Sequence, residues 1–137
     1  MKLNVKVITL AFLATMLWSP HAQAQLAVTV SPVKANGNKA VVRLSFKNNL
    51  TNAVESARAT VRLANGEDFF GRATKWVIGG ERNVPNLAPD ATNTFFFVIT
   101  SEKPFPTTNL TATVIFNRIV LAGGKLGDPA KDVKIEK

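Results

Sequence analysis

Basic side chains at alternating positions carry most of the chemistry this chain can offer. Arg43 and Lys47 stand in one alternating segment, and Arg58 and Arg62 stand in the next, with Arg72 or Lys75 extending the row and Trp76 beside it. On extended backbone such residues share one wet face while their apolar neighbours share the other. Arginine presents a planar fork of donors that matches carboxylate and sulfate groups, and an aromatic ring beside it adds a stacking surface. The candidate binding residues are therefore Arg43, Lys47, Arg58, Arg62, Arg72 and Trp76, and the chemistry is recognition of an anion.

The usual catalytic residues are scarce. The chain has no Cys, and His21, Met1 and Met16 all lie near its start. Past that point no Ser-His-Asp or Cys-His arrangement can form, and structural zinc loses its two usual ligands. Ser31, Ser45, Ser56 and Ser101 show no local pattern of an activated nucleophile. Glu67 and Asp68 are adjacent carboxylates, but neighbours on a strand point to opposite faces, so they do not share a cleft. No cluster of Asp and Asn has calcium-loop spacing. The expectation is a protein with no catalytic residues, no metal and no cofactor.

The elements that must position the basic row come after an export signal. Lys2 and Lys6 open the chain, residues 7–18 form an apolar run, and Ala22-Gln23-Ala24 ends a polar stretch, which predicts a signal peptide over 1–24 cut between Ala24 and Gln25. The apolar run is short of the about 20 residues a membrane span needs, and no later segment reaches that length either. Removal of 24 of the 137 residues leaves 113, the size of one domain. That part keeps fifteen of the seventeen Lys and Arg and all nine Asp and Glu, hence a formal charge of +6. Outside the cytoplasm, secreted or periplasmic, such a field meets acidic glycans, envelope material or acidic proteins rather than nucleic acid.

Short runs rich in Val, Ile, Phe and Thr, separated by Asn, Gly, Pro and Asp, predict an all-β domain over 25–125. Asn36-Gly37 and Asn65-Gly66 are the favoured hairpin pairs, taken here as central turn residues of hairpins over 26–47 and 54–78. Val42, Leu44 and Phe46 point inward, as do Ala57, Ala59, Val61 and Leu63. Residues 69–78 are mixed on both faces, which a bulge near Gly71 resolves. Residues 79–90 and 104–108 are long connections between sheets, and 92–100 and 109–121 are strands. Phe95, Phe96 and Phe97 imply burial on both sides or a strand at a sheet edge. The charged tail, 126–137, holds a short last strand or none. Six to seven strands with turns about every ten residues predict an antiparallel immunoglobulin-like β-sandwich, with a five-stranded oligosaccharide- or oligonucleotide-binding barrel as the alternative.

The segment VVRLSFKNNLTNAVESARATVRLANGEDFFGRA followed by NLAPDATNTFFFVI resembles the small bacterial immunoglobulin-like domains of the FxLYD and CARDB type. The likeness covers 40–116. At Asp90 those domains usually carry Gly. The resemblance implies an exported interaction or accessory module and transfers no catalytic residue. The function expected is an exported, non-enzymatic binding module acting through a basic sheet face or an edge strand, with a self-associating structural surface subunit as a further alternative.

Overall fold

The structure is a computed structural model and describes residues 24–137. The signal peptide expected over 1–24 lies outside the described residues except for Ala24, which is exposed. The chain forms β1 (Leu26–Val30), β2 (Lys34–Asn36), β3 (Lys39–Asn48), β4 (Val54–Asn65), β5 (Asp68–Ile78), β6 (Thr92–Thr100), β7 (Thr111–Leu121), β8 (Lys125–Leu126), α1 (Pro129–Asp132) and β9 (Val133–Glu136). It is an all-β protein. The strands exceed the six to seven expected because β2 and β8 are pieces of three and two residues.

Two sheets share the core. In the first, β3 is central, with β6 on one side and β1 and β2 in line on the other, and β9 beyond β1. The second has the order β5-β4-β7-β8. Both sheets keep open edges, unlike a closed five-stranded barrel. Among the described residues no helix is long and apolar enough to cross a membrane.

The inward positions read from alternation are the inward positions of the structure. Val42, Leu44, Ala57, Ala59, Val61 and Leu63 are all at 0% exposure and meet Leu26, Val28, Phe97 and Ile119 between the sheets. Each large side chain buried this way contributes about 1.5 to 3 kcal/mol. Phe46 of the first sheet meets Phe116 of the second edge-on, with ring centroids 6.4 Å apart. With no disulfide available, this core and the ladders carry the stability.

Both hairpins form, with turns one residue later than expected. Asn36 pairs with Lys39 and Asn65 with Asp68, so the central pairs are Gly37-Asn38 and Gly66-Glu67. Gly37 and Gly66 each have φ 61°, and Asn38 and Glu67 are not in the left-handed region. Glycine at the first central position alone is the type II′ requirement, so Asn closes each strand and Gly makes the turn. The first hairpin is also interrupted. Three residues, Ser31, Pro32 and Val33, lie opposite two of β3, and Pro32 has no N–H for the ladder, so residues 26–33 end as β1 and the chain re-pairs as β2.

Loops 49–53, 79–91 and 101–110 cross between the sheets. Asn48, the one fully buried polar residue among the described residues, fastens the first of these to the second. Its Nδ2 donates to the carbonyls of Asn52 at 3.0 Å and Leu87 at 3.1 Å, and its Oδ1 accepts from the Leu50 N–H at 3.0 Å. The tail is built into the fold. Asp128 caps α1 by accepting from the Ala130 N–H, and β9 then pairs parallel with β1.

Candidate binding face

The basic row divides between the two sheets. Arg43 and Lys47 lie on the outer face of the first sheet, in β3, whereas Arg58 and Arg62 of β4 and Arg72 of β5 lie on the outer face of the second. The single row expected from adjacent segments is thereby corrected. The cause is loop 49–53, which carries the chain to the other sheet instead of continuing a meander.

Arg43 and Lys47 are engaged locally. Arg43 Nε donates to Ser31 Oγ at 3.1 Å, and Lys47 Nζ donates to the Asp90 carbonyl at 2.8 Å. Both contacts brace loops at the rim.

The outer face of the second sheet is different in kind. Across the strands, Trp76 pairs with Arg58 and Arg58 with Arg118, and one level along Arg72 pairs with Arg62. The Arg58 guanidinium lies 5.9 Å from the Trp76 ring centroid and that of Arg62 lies 5.0 Å from Phe69. Such cation–π contacts steady a guanidinium through its charge and leave its N–H groups available to an anion. Between the two levels, Thr60 Oγ1 donates to Asn117 Oδ1 at 2.9 Å and so accepts from Thr74 Oγ1 at 2.7 Å. Among the described residues the ion pair formed is Lys134–Glu136, so the four arginines of this face have no carboxylate partner there.

Trp76 owes its place to glycine. It is half-buried, and a Cβ on Gly80 would run into the indole, 2.8 Å from its Cγ. The ring thus lies against bare backbone at φ 78°, with Arg58 on the adjacent strand.

Arg118 and Phe69 complete the face and were not singled out from the sequence. In β7 the buried positions run Ala112, Val114 and Phe116, and continued alternation would turn Arg118 inward. Asn117 is an extra residue between the pairs Ala59 to Phe116 and Arg58 to Arg118, and this bulge turns Arg118 outward. Phe70 is similarly extra between Leu63 to Gly71 and Ala64 to Phe69, a bulge beside Gly71 that brings Phe69 onto the outer face. A mixed pattern is the only sequence signal of either. Lys75 pairs with Ala59 and lies on the other parity from Arg72 and Trp76.

The other candidates stay apart. Glu67 sits in the second hairpin turn and Asp68 begins β5, both exposed, and Ser101 Oγ accepts from the Lys103 N–H at 3.3 Å. Among the described residues no three of His, Cys, Asp and Glu gather as metal ligands would. An apolar recess of about 220 Å³ lies between Val30, Pro32, Val33, Leu110 and Ala112, and open depressions of about 480 Å³ and 450 Å³ lie beside Ser45 and Thr94 and beside Lys34 and Val41. Protein-family models, curated proteins and solved structures give no match to this chain.

Proposed function

We propose that this protein is an exported, non-enzymatic binding module of the cell envelope or extracellular space. In this reading it has an immunoglobulin-like β-sandwich and engages an acidic polysaccharide through the arginine face of its second sheet. The sandwich reading is supported by the strand order: β1, β3 and β6 correspond to strands A, B and E, and β5, β4, β7 and β8 to C′, C, F and G. The likeness to FxLYD and CARDB domains carries the same implication.

The observation that carries the binding reading is the set Arg58, Arg62, Arg72 and Arg118 on one face without carboxylate partners, two of them over aromatic rings. Arg58 and Arg62 are four residues apart on one strand, so the two levels are separated by about 13 Å. That spacing suits a polymer with repeated anionic groups better than a single small ion. Planar guanidinium groups take carboxylate or sulfate oxygens two at a time.

The test uses the separation of the sheets. The protein is retained on immobilised heparin and elutes at lower salt when Arg58 and Arg62 are changed to Glu, while the pair Arg43→Glu and Lys47→Glu, an equal change of net charge, changes elution much less. Equal effects of the two sets would reduce the interaction to net charge and end the proposal.

A further inference from the structure

β6 is a rim strand whose second side is open: it pairs with β3 along its length and with no other strand. The ladder's phase shows which groups remain. The Ser101 N–H donates to the Asn38 carbonyl at 2.9 Å, and the Asn48 N–H donates to the Ala91 carbonyl at 3.0 Å. In an antiparallel ladder hydrogen-bonded pairs alternate, so odd-numbered residues from 91 to 101 turn their backbone groups toward β3. Thr92, Thr94, Phe96, Val98 and Thr100 present theirs to the open side. The same five residues are exposed, Phe96 at 57% and Val98 at 47%. Across nine residues β6 has no charge, no Pro and no Gly, none of the devices that ordinarily protect an edge.

We propose that two copies of this chain pair antiparallel through β6, in a two-fold register centred on Phe96. Phe96 then faces Phe96 of the second copy, Thr94 faces Val98, and Thr92 faces Thr100. The outward groups of Thr94, Phe96 and Val98 find hydrogen-bonding partners, and the exposed Phe96 and Val98 of both copies are covered. The occupant follows from charge. In a chain of formal charge +8 the strand β6 is itself neutral, so a basic partner strand is repelled, whereas a second β6 brings no charge of its own to the edge. Lys39, Arg43 and Lys47, the basic residues of the same face, pair from β3 with Thr100, Phe96 and Thr92, so in this register Arg43 stands opposite Arg43 and Lys39 opposite Lys47 of the second copy. The two Arg43 side chains would stand three strand spacings apart, about 14 Å, beyond the screening length at physiological salt.

Two local features bear on the pairing. Asn93 Oδ1 accepts the Thr94 N–H at 2.8 Å and must turn aside. β5 approaches the Thr100 end of β6, where a Cβ on Gly71 would meet Ile99 Cγ2 at 3.0 Å and lie 3.9 Å from the Thr100 carbonyl oxygen, so the second copy pairs chiefly over Thr94 to Val98. Joining of two short edges is a small interface, and the dimer is weak and reversible. It uses the sheet opposite the arginine face, so failure of either proposal leaves the other standing.

Cross-linking reads the register directly. The chain has no cysteine of its own. A hydrogen-bonded pair sets Cα atoms about 5.5 Å apart, within disulfide range. With the protein purified as the cell accumulates it, Phe96→Cys forms a disulfide-linked dimer on mild oxidation. Thr92→Cys, equally exposed but facing Thr100, does not. Sedimentation from low micromolar to millimolar concentration shows a reversible dimer, weakened at least tenfold by Phe96→Lys with the far-ultraviolet spectrum unchanged. A monomer at every concentration, or equal cross-linking at positions 92 and 96, would overturn the proposal. Should Phe96→Lys fail to fold, the cysteine pair decides alone.

Discussion

Arg58 and Trp76 are direct partners across the β4–β5 ladder, with the guanidinium 5.9 Å from the indole centroid. Their pairing joins a fixed positive charge to a fluorescent ring on an exposed sheet face. Trp76 is the sole tryptophan past the expected cleavage site.

In protein beginning at Gln25, heparin therefore changes Trp76 emission in a saturable, salt-sensitive manner. Arg58→Lys keeps the charge but loses the planar two-pronged donor, and the titration midpoint moves to higher heparin concentration. Fluorescence titration of the two proteins in parallel checks this. Identical midpoints would remove Arg58 from the binding face.

Gly79 and Gly80 are both required, for different reasons. A Cβ on Gly79 would overlap the Glu55 carbonyl oxygen, a backbone atom that cannot give way, at φ 50°. Gly79→Ala lowers stability by about 3 kcal/mol or more, measured by urea denaturation. A Cβ on Gly80 would meet the Trp76 ring, a side chain that can move. Gly80→Ala displaces the indole, red-shifts its emission and weakens heparin retention with a smaller loss of stability.

Asn48 satisfies three backbone groups of two crossing loops at 0% exposure. Asn48→Leu leaves the Leu50 N–H and the carbonyls of Asn52 and Leu87 without that partner, and costs about 3 kcal/mol. The change appears as a lowered denaturant midpoint, with faster amide exchange at Leu50. A midpoint within error of the parent would show that water replaces the amide.

Asp90 has φ 64°, in the left-handed region that glycine occupies without strain. Asp90→Gly leaves stability unchanged or raises it by up to about 1 kcal/mol, while Asp90→Val lowers it by about 1 to 2 kcal/mol. Thermal unfolding of the two variants gives the comparison.

Much of the strand layout was legible because pleat and turn are local properties. A run such as 92–100 declares itself by composition and by the Asp and Pro before it, and β6 spans those residues. The inward faces of β3 and β4 followed from alternation with a period of two. The binding face was legible only in part. Arg58, Arg62, Arg72 and Trp76 were visible as an alternating set, but Arg118 was hidden by the bulge at Asn117 and Phe69 by the bulge at Phe70. One inserted residue turns every later side chain of a strand to the opposite face, and no composition signal marks where it falls.

The sequence by itself determined an all-β chain: most of the segments that extend, the inward residues of β3 and β4, and the neighbourhood of the two hairpin turns. Those are properties of a few neighbouring residues. Only the tertiary structure decided which strands share a sheet. It parted Arg43 and Lys47 from Arg58, Arg62 and Arg72, and it returned the tail as β9 to lie parallel with β1. Sheet membership depends on pairings between segments far apart in the chain and on side chains such as Asn48 that fasten one crossing loop to another. Local periodicity carries no record of either.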